Sequence, residues 1–349
     1  MGGRIDFAGK RILITGHSGF SGTWLSHMLR ILNAEILGFS RDDSEFSTAF
    51  PANGIADALP TSFGNILNGE DFSSQVESFQ PHIVIHLAAQ SLVKEGYKSP
   101  VDTFATNTVG TAQVLDSSLL SKCLNGVIVI TTDKVYAENS EVKFETSPLG
   151  GSDPYSCSKV GAEEVVKAFR KKYARQGVSL SVVRGGNIIG GGDWSNDRLV
   201  PDIVRAHLNG ENLVLRFPEA TRPWQHVLDL VYAYSIVAWA MLTNPGPATN
   251  TEYNVGPDGE SSLSVLDLVG MFSRNGFHVA YAVIPGEEHE SRFLEINSSK
   301  ILRELGWSPK ISAETAVALT TEWYKMVLGK KADPHELTRQ QIMEYLGGE

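Results

Sequence analysis

The chain has 349 residues, 42% of them hydrophobic and 20% charged, which is too apolar for disorder and long enough for one large or two interlocked domains. Its formal net charge of −10 excludes general attraction to nucleic acid, and the short basic cluster Arg170, Lys171, Lys172 reads as the solvated end of a helix. Two cysteines, Cys123 and Cys157, exclude a disulfide scaffold, and no Cys/His cluster has metal-ligand spacing.

In chain order, the opening residues MGGRIDFAGK lack a secretory signal pattern and lead into a strand at 11–15 (RILIT). A helix is expected over 22–32, a strand at 35–39 (EILGF), a helix over 71–79 and a strand at 82–86 (HIVIH). A helix over 103–121, a strand at 127–131 (VIVIT), a helix over 155–176 and a strand at 180–184 (LSVVR) follow. Buried strands separated by helices predict an α/β doubly wound parallel sheet. Beyond residue 185 the texture changes: 190–193 and 216–224 read as irregular binding segments, and 229–242, 264–275 and 298–305 as helices. The expected division is a dinucleotide-binding domain over 1–185 and a smaller, interleaved C-terminal lobe over 186–349 that binds substrate, with 225–242 crossing back to the first domain. No apolar run approaches the ~18 to 20 residues of a membrane span, so the expected setting is the cytoplasm.

The strand RILIT runs directly into Gly16-His-Ser-Gly19-Phe-Ser-Gly22 and then a helix. Close approach of backbone N–H groups to a pyrophosphate needs that absence of Cβ atoms, and the helix N-terminus favours negative charge, so the turn predicts a Rossmann-type dinucleotide site. The three-and-three glycine spacing points to the short-chain dehydrogenase variant. The second strand ends Phe39-Ser40-Arg41-Asp42. Ser40 and Arg41 are suited to a ribose 2′-phosphate, which favours NADP; Asp42 is suited to the ribose hydroxyls of NAD, and Arg41 has the alternative of stacking on adenine.

Tyr155 and Lys159, four residues apart, project from one helix face. An ammonium beside a phenol is expected to lower the phenol pKa towards neutrality and make it a general base for an alcohol proton. Thr132, just after the strand 127–131, stands at the carboxyl end of the sheet, where reactive groups gather.

With these motifs, the chain resembles an extended short-chain dehydrogenase/reductase of the nucleotide-sugar 4,6-dehydratase family, closest to the CDP-glucose 4,6-dehydratase group. The resemblance runs from about Lys10 to Trp307. It also rests on His86-Leu-Ala-Ala-Gln90, Asn107 with Gly110-Thr111, Thr132-Asp133-Lys134 and Arg184-Gly-Gly-Asn187, with Gly190-Gly-Gly-Asp-Trp194, Arg198-Leu-Val-Pro201 and Thr221-Arg-Pro-Trp-Gln-His226 as the segments most particular to the group. It implies an NAD(P) that is tightly bound and regenerated in each turnover. The cofactor-binding residues implied are Gly16, Ser18, Gly19, Phe20, Gly22, Ser40, Arg41, Asn65, Ile66, Leu87, Ala88, Ala89 and Asn107, with Tyr155 and Lys159.

For activity, the resemblance implies transient C4 oxidation of CDP-glucose or a close relative, loss of water across C5 and C6, and hydride return to C6. Tyr155 takes the 4-hydroxyl proton; Lys134, or Asp133 acting through it, removes the C5 proton, and the other group protonates the leaving hydroxyl. A basic Lys134 requires a lowered pKa, expected from partial burial near Lys159. A nucleotide-sugar 4-epimerase using the same Tyr155 and Lys159 is the alternative. For a nucleoside diphosphate sugar the implied contacts are Gln90, Asn187, Arg198, Arg216, Arg222 and His289, with Trp194, Trp224 and Phe217 as stacking candidates. A homodimer through helices 103–121 and 155–176 is implied as well. The chain departs from the pattern at Asn65, where aspartate is usual, at Lys94-Glu95-Gly96, where arginines and serine are usual, and at Val135 and Asn297.

Overall fold

The computed structural model describes residues 5–41, 59–139, 141–257, 262–284 and 295–347, so Asp42 and His289 lie outside the described residues. Six strands, β1 (Arg11–Thr15), β2 (Glu35–Ser40), β3 (Thr61–Phe63), β4 (Ile83–His86), β5 (Gly126–Thr132) and β6 (Ser179–Gly185), combine with Glu252–Val255 into one seven-stranded sheet. All the pairings in it are parallel, and the order is β3, β2, β1, β4, β5, β6 and then Glu252–Val255. The chain reverses its direction of travel across the sheet between β1 and β4, and in such sheets ligands bind outside the carboxyl ends at that point.

The near-continuous apolar runs follow from burial of both sheet faces. Ile12, Ile14, Ile83, Ile85, Ile128 and Val183 enter one core with Trp24, Leu25, Met28 and the helix Val227–Thr243. Leu13, Val84, Val127, Val129, Leu180 and Val182 enter the other with Phe72, Val76, Val114, Leu115, Val166 and Tyr173. Neighbours along one strand therefore belong to opposite cores, as the two-residue period requires.

The helices begin where their caps place them. Asn68 accepts from Glu70 N at the start of Gly69–Phe79, and a reciprocal Asp153/Ser156 capping box opens Pro154–Arg175. The expected continuous helix over 103–121 is instead three pieces: Pro100–Phe104, a π-helical turn Ala105–Val109, and Gly110–Ser118. Two further helices, Ala313–Leu328 and Pro334–Tyr345, close the chain, the last packing on Phe20–Ile31. Among the described residues no helix is long and apolar enough to cross a membrane, and no group of three His, Cys, Asp or Glu side chains is arranged to hold a metal.

Candidate active site

A cleft of about 1680 Å³ runs along the carboxyl ends of the strands and gathers most of the expected residues. At its floor, Gly16 has φ +73°, and a Cβ there would stand 2.7 Å from Ala88 N; a Cβ on Gly22 would collide with the Gly16 carbonyl. These two glycines are required by the protein's own packing. Gly19 differs, because its Cβ would meet nothing closer than the Gly16 carbonyl at 3.4 Å, yet it lines the cleft. It is also the N-cap of Phe20–Ile31, where no side chain caps the helix and no acid lies in the first turn. An uncapped helix N-terminus behind a bare glycine fits a pyrophosphate, and so the residues present fit a dinucleotide.

Ser18, Phe20, Ser40, Arg41, Asn65, Ile66, Leu87, Ala88 and Ala89 all line the same cleft. Asn65 Oδ1 already accepts from Leu67 N at 3.0 Å. Ser40 is held from both sides, by Ser18 Oγ at 2.8 Å and His17 Nδ1 at 2.9 Å. Asn107 is 1% exposed and stands behind the cleft wall rather than in it. Its Oδ1 accepts from Gln90 N at 2.8 Å, while Nδ2 donates to Gln90 O at 2.9 Å and Ser158 Oγ at 2.8 Å. Its side chain thereby fastens the loop after β4 to the Tyr155 helix.

Tyr155 and Lys159 lie on one turn of Pro154–Arg175, and both are buried at the cleft. The expected neutral-range phenol is not found. Burial pushes Tyr155 up to about 12, opposed by a hydrogen bond with Thr132 and by the charge of Arg198, and reinforced by Asp133. Lys159 Nζ instead donates to Ile130 O at 3.0 Å, tying the helix to β5, and burial pulls the ammonium itself down to about 8. Thr132 Oγ1 donates to Asp133 Oδ1 at 3.0 Å and accepts from Lys134 N at 3.3 Å, which shapes the short turn Asp133–Val135. Asp133 is 1% exposed, and its Oδ2 has no hydrogen-bond partner. Lys134 Nζ lies 3.9 Å from Asp133 Oδ1, and its side chain is partly buried at 28% exposure.

Gln90, Asn187, Arg198, Arg216 and Arg222 line the other half of the cleft, with Trp194, Phe217 and Trp224. The Gln90 amide is engaged internally, donating to Thr103 Oγ1 at 2.9 Å and accepting from Leu92 N at 2.5 Å. Arg222 is 3% exposed and donates to Thr221 O at 2.8 Å. Arg198 donates to Ser91 Oγ at 3.1 Å and sits 3.6 Å from Asp193 Oδ2. With the ion pair of Lys94 and Asp197, it bridges the cleft between the loop after β4 and the segment after Trp194. His226 plays a packed role, 0% exposed and capping Val227–Thr243 by accepting from Leu228 N at 3.3 Å.

Sequence reasoning missed the support behind the turn Asp133–Val135. Arg184 at the end of β6 and Glu163 on the Tyr155 helix, 2% and 1% exposed, form a bidentate pair with Nη2–Oε2 2.5 Å and Nε–Oε1 2.9 Å. Glu163 Oε1 also accepts from Thr131 Oγ1 at 2.7 Å, and Arg184 Nη1 donates to Tyr136 Oη at 2.7 Å and Glu145 O at 3.1 Å. An arginine closing the apolar run LSVVR was the available signal, since a charge in a buried strand needs a partner.

The family model for GDP-mannose 4,6 dehydratase matches residues 13–320. The chain is 35% identical to a CDP-glucose 4,6-dehydratase of Salmonella typhimurium, over 97% of this chain and 96% of that one. It is 27% identical to a dTDP-glucose 4,6-dehydratase of the same organism, over 90% and 92%. Among solved structures, a Streptomyces venezuelae dTDP-glucose 4,6-dehydratase with NAD bound superposes with TM-score 0.78 at 23% identity, covering 92% of this chain and 98% of that one. A Thermotoga maritima UDP-glucose 4-epimerase gives the same TM-score and identity over 91% and 99%. On its sequence, its sheet order and its matched length, this chain belongs to the nucleotide-sugar 4,6-dehydratase family.

Proposed function

We propose that the chain is a hydro-lyase that converts CDP-glucose, or a near relative, to the 4-keto-6-deoxy sugar. The observation that carries this reading is the buried Asp133, one oxygen fixed by Thr132 and the other without a partner, beside Tyr155 in the cleft. Residues 1–185 hold the dinucleotide in this scheme, and 186–349 mainly hold the substrate. Gly19, the N-terminus of Phe20–Ile31 and the walls at Leu87–Ala89 and Asn65–Ile66 would hold a nicotinamide dinucleotide. When bound, it supplies the hydride acceptor for C4 and the hydride donor for C6.

Tyr155 Oη takes the 4-hydroxyl proton, with Thr132 holding the phenol. Lys134 Nζ removes the C5 proton and Asp133 Oδ2 delivers one to the departing C6 hydroxyl; once C6 is reduced, Lys134 returns its proton to C5, and the proton taken by Tyr155 replaces the one that Asp133 lost with the water. Arg222 and Arg216 clamp the diphosphate, and Asn187 hydrogen-bonds to it. A 4-epimerase would use the same Tyr155 and Lys159 but has no task for Asp133 and Lys134, which is why the dehydratase reading is preferred. Arg41 in the cleft lining supports NADP; the environment of Ser40 bears the other way.

Incubation with CDP-, UDP- and dTDP-glucose should give the alkaline absorbance of a 4-keto-6-deoxy product; clean inversion at C4 without it would establish the epimerase instead. Lys134→Met is expected to suppress water loss by at least about a hundredfold while C4 oxidation, seen as nicotinamide reduction, persists. Unchanged product formation by that variant would remove Lys134 from the mechanism.

We also propose a homodimer, the partner a second copy docked on the helical stretch where Val101, Phe104 and Val109 are 78%, 40% and 52% exposed. Sedimentation of the purified chain should give twice the monomer mass, and a monomer at micromolar concentration would exclude it.

A further inference from the structure

The Ser18–Ser40 contact at the end of β2 belongs to a longer chain of hydrogen bonds. Ser18 Oγ donates to Ser40 Oγ at 2.8 Å, Ser40 Oγ lies 2.9 Å from His17 Nδ1, and His17 Nε2 lies 2.9 Å from Thr61 Oγ1, which donates to Leu59 O at 3.0 Å. The last link favours one polarity for the rest. Thr61 has one proton, committed to Leu59 O, so it accepts from His17 Nε2–H. A neutral imidazole protonated at Nε2 is bare at Nδ1, which then takes the proton of Ser40. His17 is 0% exposed, and burial pushes it down to about 4, partly opposed by the Phe39 carbonyl. Its ring lies on Gly38, where a Cβ would stand 2.2 Å from the imidazole, so β2 itself is shaped to hold the ring in place.

Ser18 and Ser40 line the cleft, whereas His17 does not. With both serine protons directed inward, the two hydroxyls offer the cleft lone pairs and no donor. A ribose 2′-hydroxyl can donate to such a pair; a 2′-phosphate brings only acceptor oxygens and meets lone pairs. We infer that His17 is a specificity-determining residue for the cofactor ribose, setting Ser40 as an acceptor so that the end of β2 selects NAD over NADP. The inference rests on the reading that this cleft holds a nicotinamide dinucleotide, and it reverses the direction in which Ser40 points on sequence grounds.

Dissociation constants for NAD and NADP, measured by calorimetry on nucleotide-free protein, test it. The unaltered chain should bind NAD more tightly. His17→Phe keeps a ring on Gly38 but has no nitrogen to take the Ser40 proton, and the preference for NAD should fall by about tenfold or more. Thr61→Val removes the acceptor for Nε2–H, so the ring is free to protonate at Nδ1 and release Ser40; the preference should fall in the same direction. Ser40→Ala should erase the effect of His17→Phe when the two are combined. Equal changes in both dissociation constants, an unaltered ratio in Thr61→Val, or a His17→Phe effect that survives Ser40→Ala would each overturn the role of His17 while leaving the dinucleotide site standing. Failure of the unaltered chain to bind either nucleotide would overturn the dinucleotide reading and the inference with it.

Discussion

Tyr155→Phe is expected to lower kcat by roughly 10²–10⁴-fold while changing nucleotide affinity by no more than a few-fold. In the proposed mechanism the phenol accepts the first proton, and its ring is buried against the cleft wall, so deleting one oxygen leaves the packing in place. Burial holds the phenol up near 12, which makes the resting enzyme a poor base. In the proposed mechanism, cations brought close to Oη, Arg198 among them, are therefore central to its activation, and loss of the hydroxyl removes the step they serve. Product formation from CDP-glucose, with nucleotide titration alongside, checks this. A variant within tenfold of the parent rate would mean that another group accepts the 4-hydroxyl proton.

The largest stability effect is expected at Glu163. Glu163→Gln removes one charge of a fully buried pair and strands the Arg184 guanidinium, at a cost of about 3–5 kcal/mol. Neither residue lines the cleft, so turnover measured well below the unfolding transition should fall far less than in Tyr155→Phe. Urea midpoints and thermal melts of the two variants separate the effects. A Glu163→Gln protein as stable as its parent would show that Tyr136 and Glu145 carry Arg184 without the carboxylate.

The strands were legible because burial on both sheet faces leaves unbroken apolar runs, and β1, β2, β4, β5 and β6 fall within a residue or two of their predicted bounds. Glu252–Val255 was not, since Glu-Tyr-Asn-Val is short and half polar; its Asn254 is buried only because Tyr136 Oη and Lys143 O supply partners from far along the chain. Ala313–Leu328 and Pro334–Tyr345 carry no motif and lie beyond the predicted elements. In the site, spacing alone placed Tyr155 and Lys159 on one helix face, and the glycine turn was readable from its position after a strand. What spacing does not encode is where a polar atom is directed. Lys159 reaches a backbone carbonyl, Asn107 reaches Gln90 and Ser158, and Ser40 reaches His17, all contacts that form only when distant segments meet.

The turn Ala105–Val109 takes an additional residue into its winding, and side chains advance by about 100° per residue along a regular helix. That insertion works as a phase correction. Ahead of it, Val101 and Phe104 look outward; behind it, Val114 and Leu115 look inward to the sheet. Shortening the turn by one residue would rotate everything downstream, carrying Val114 off the core and swinging Asn107 away from the loop it anchors.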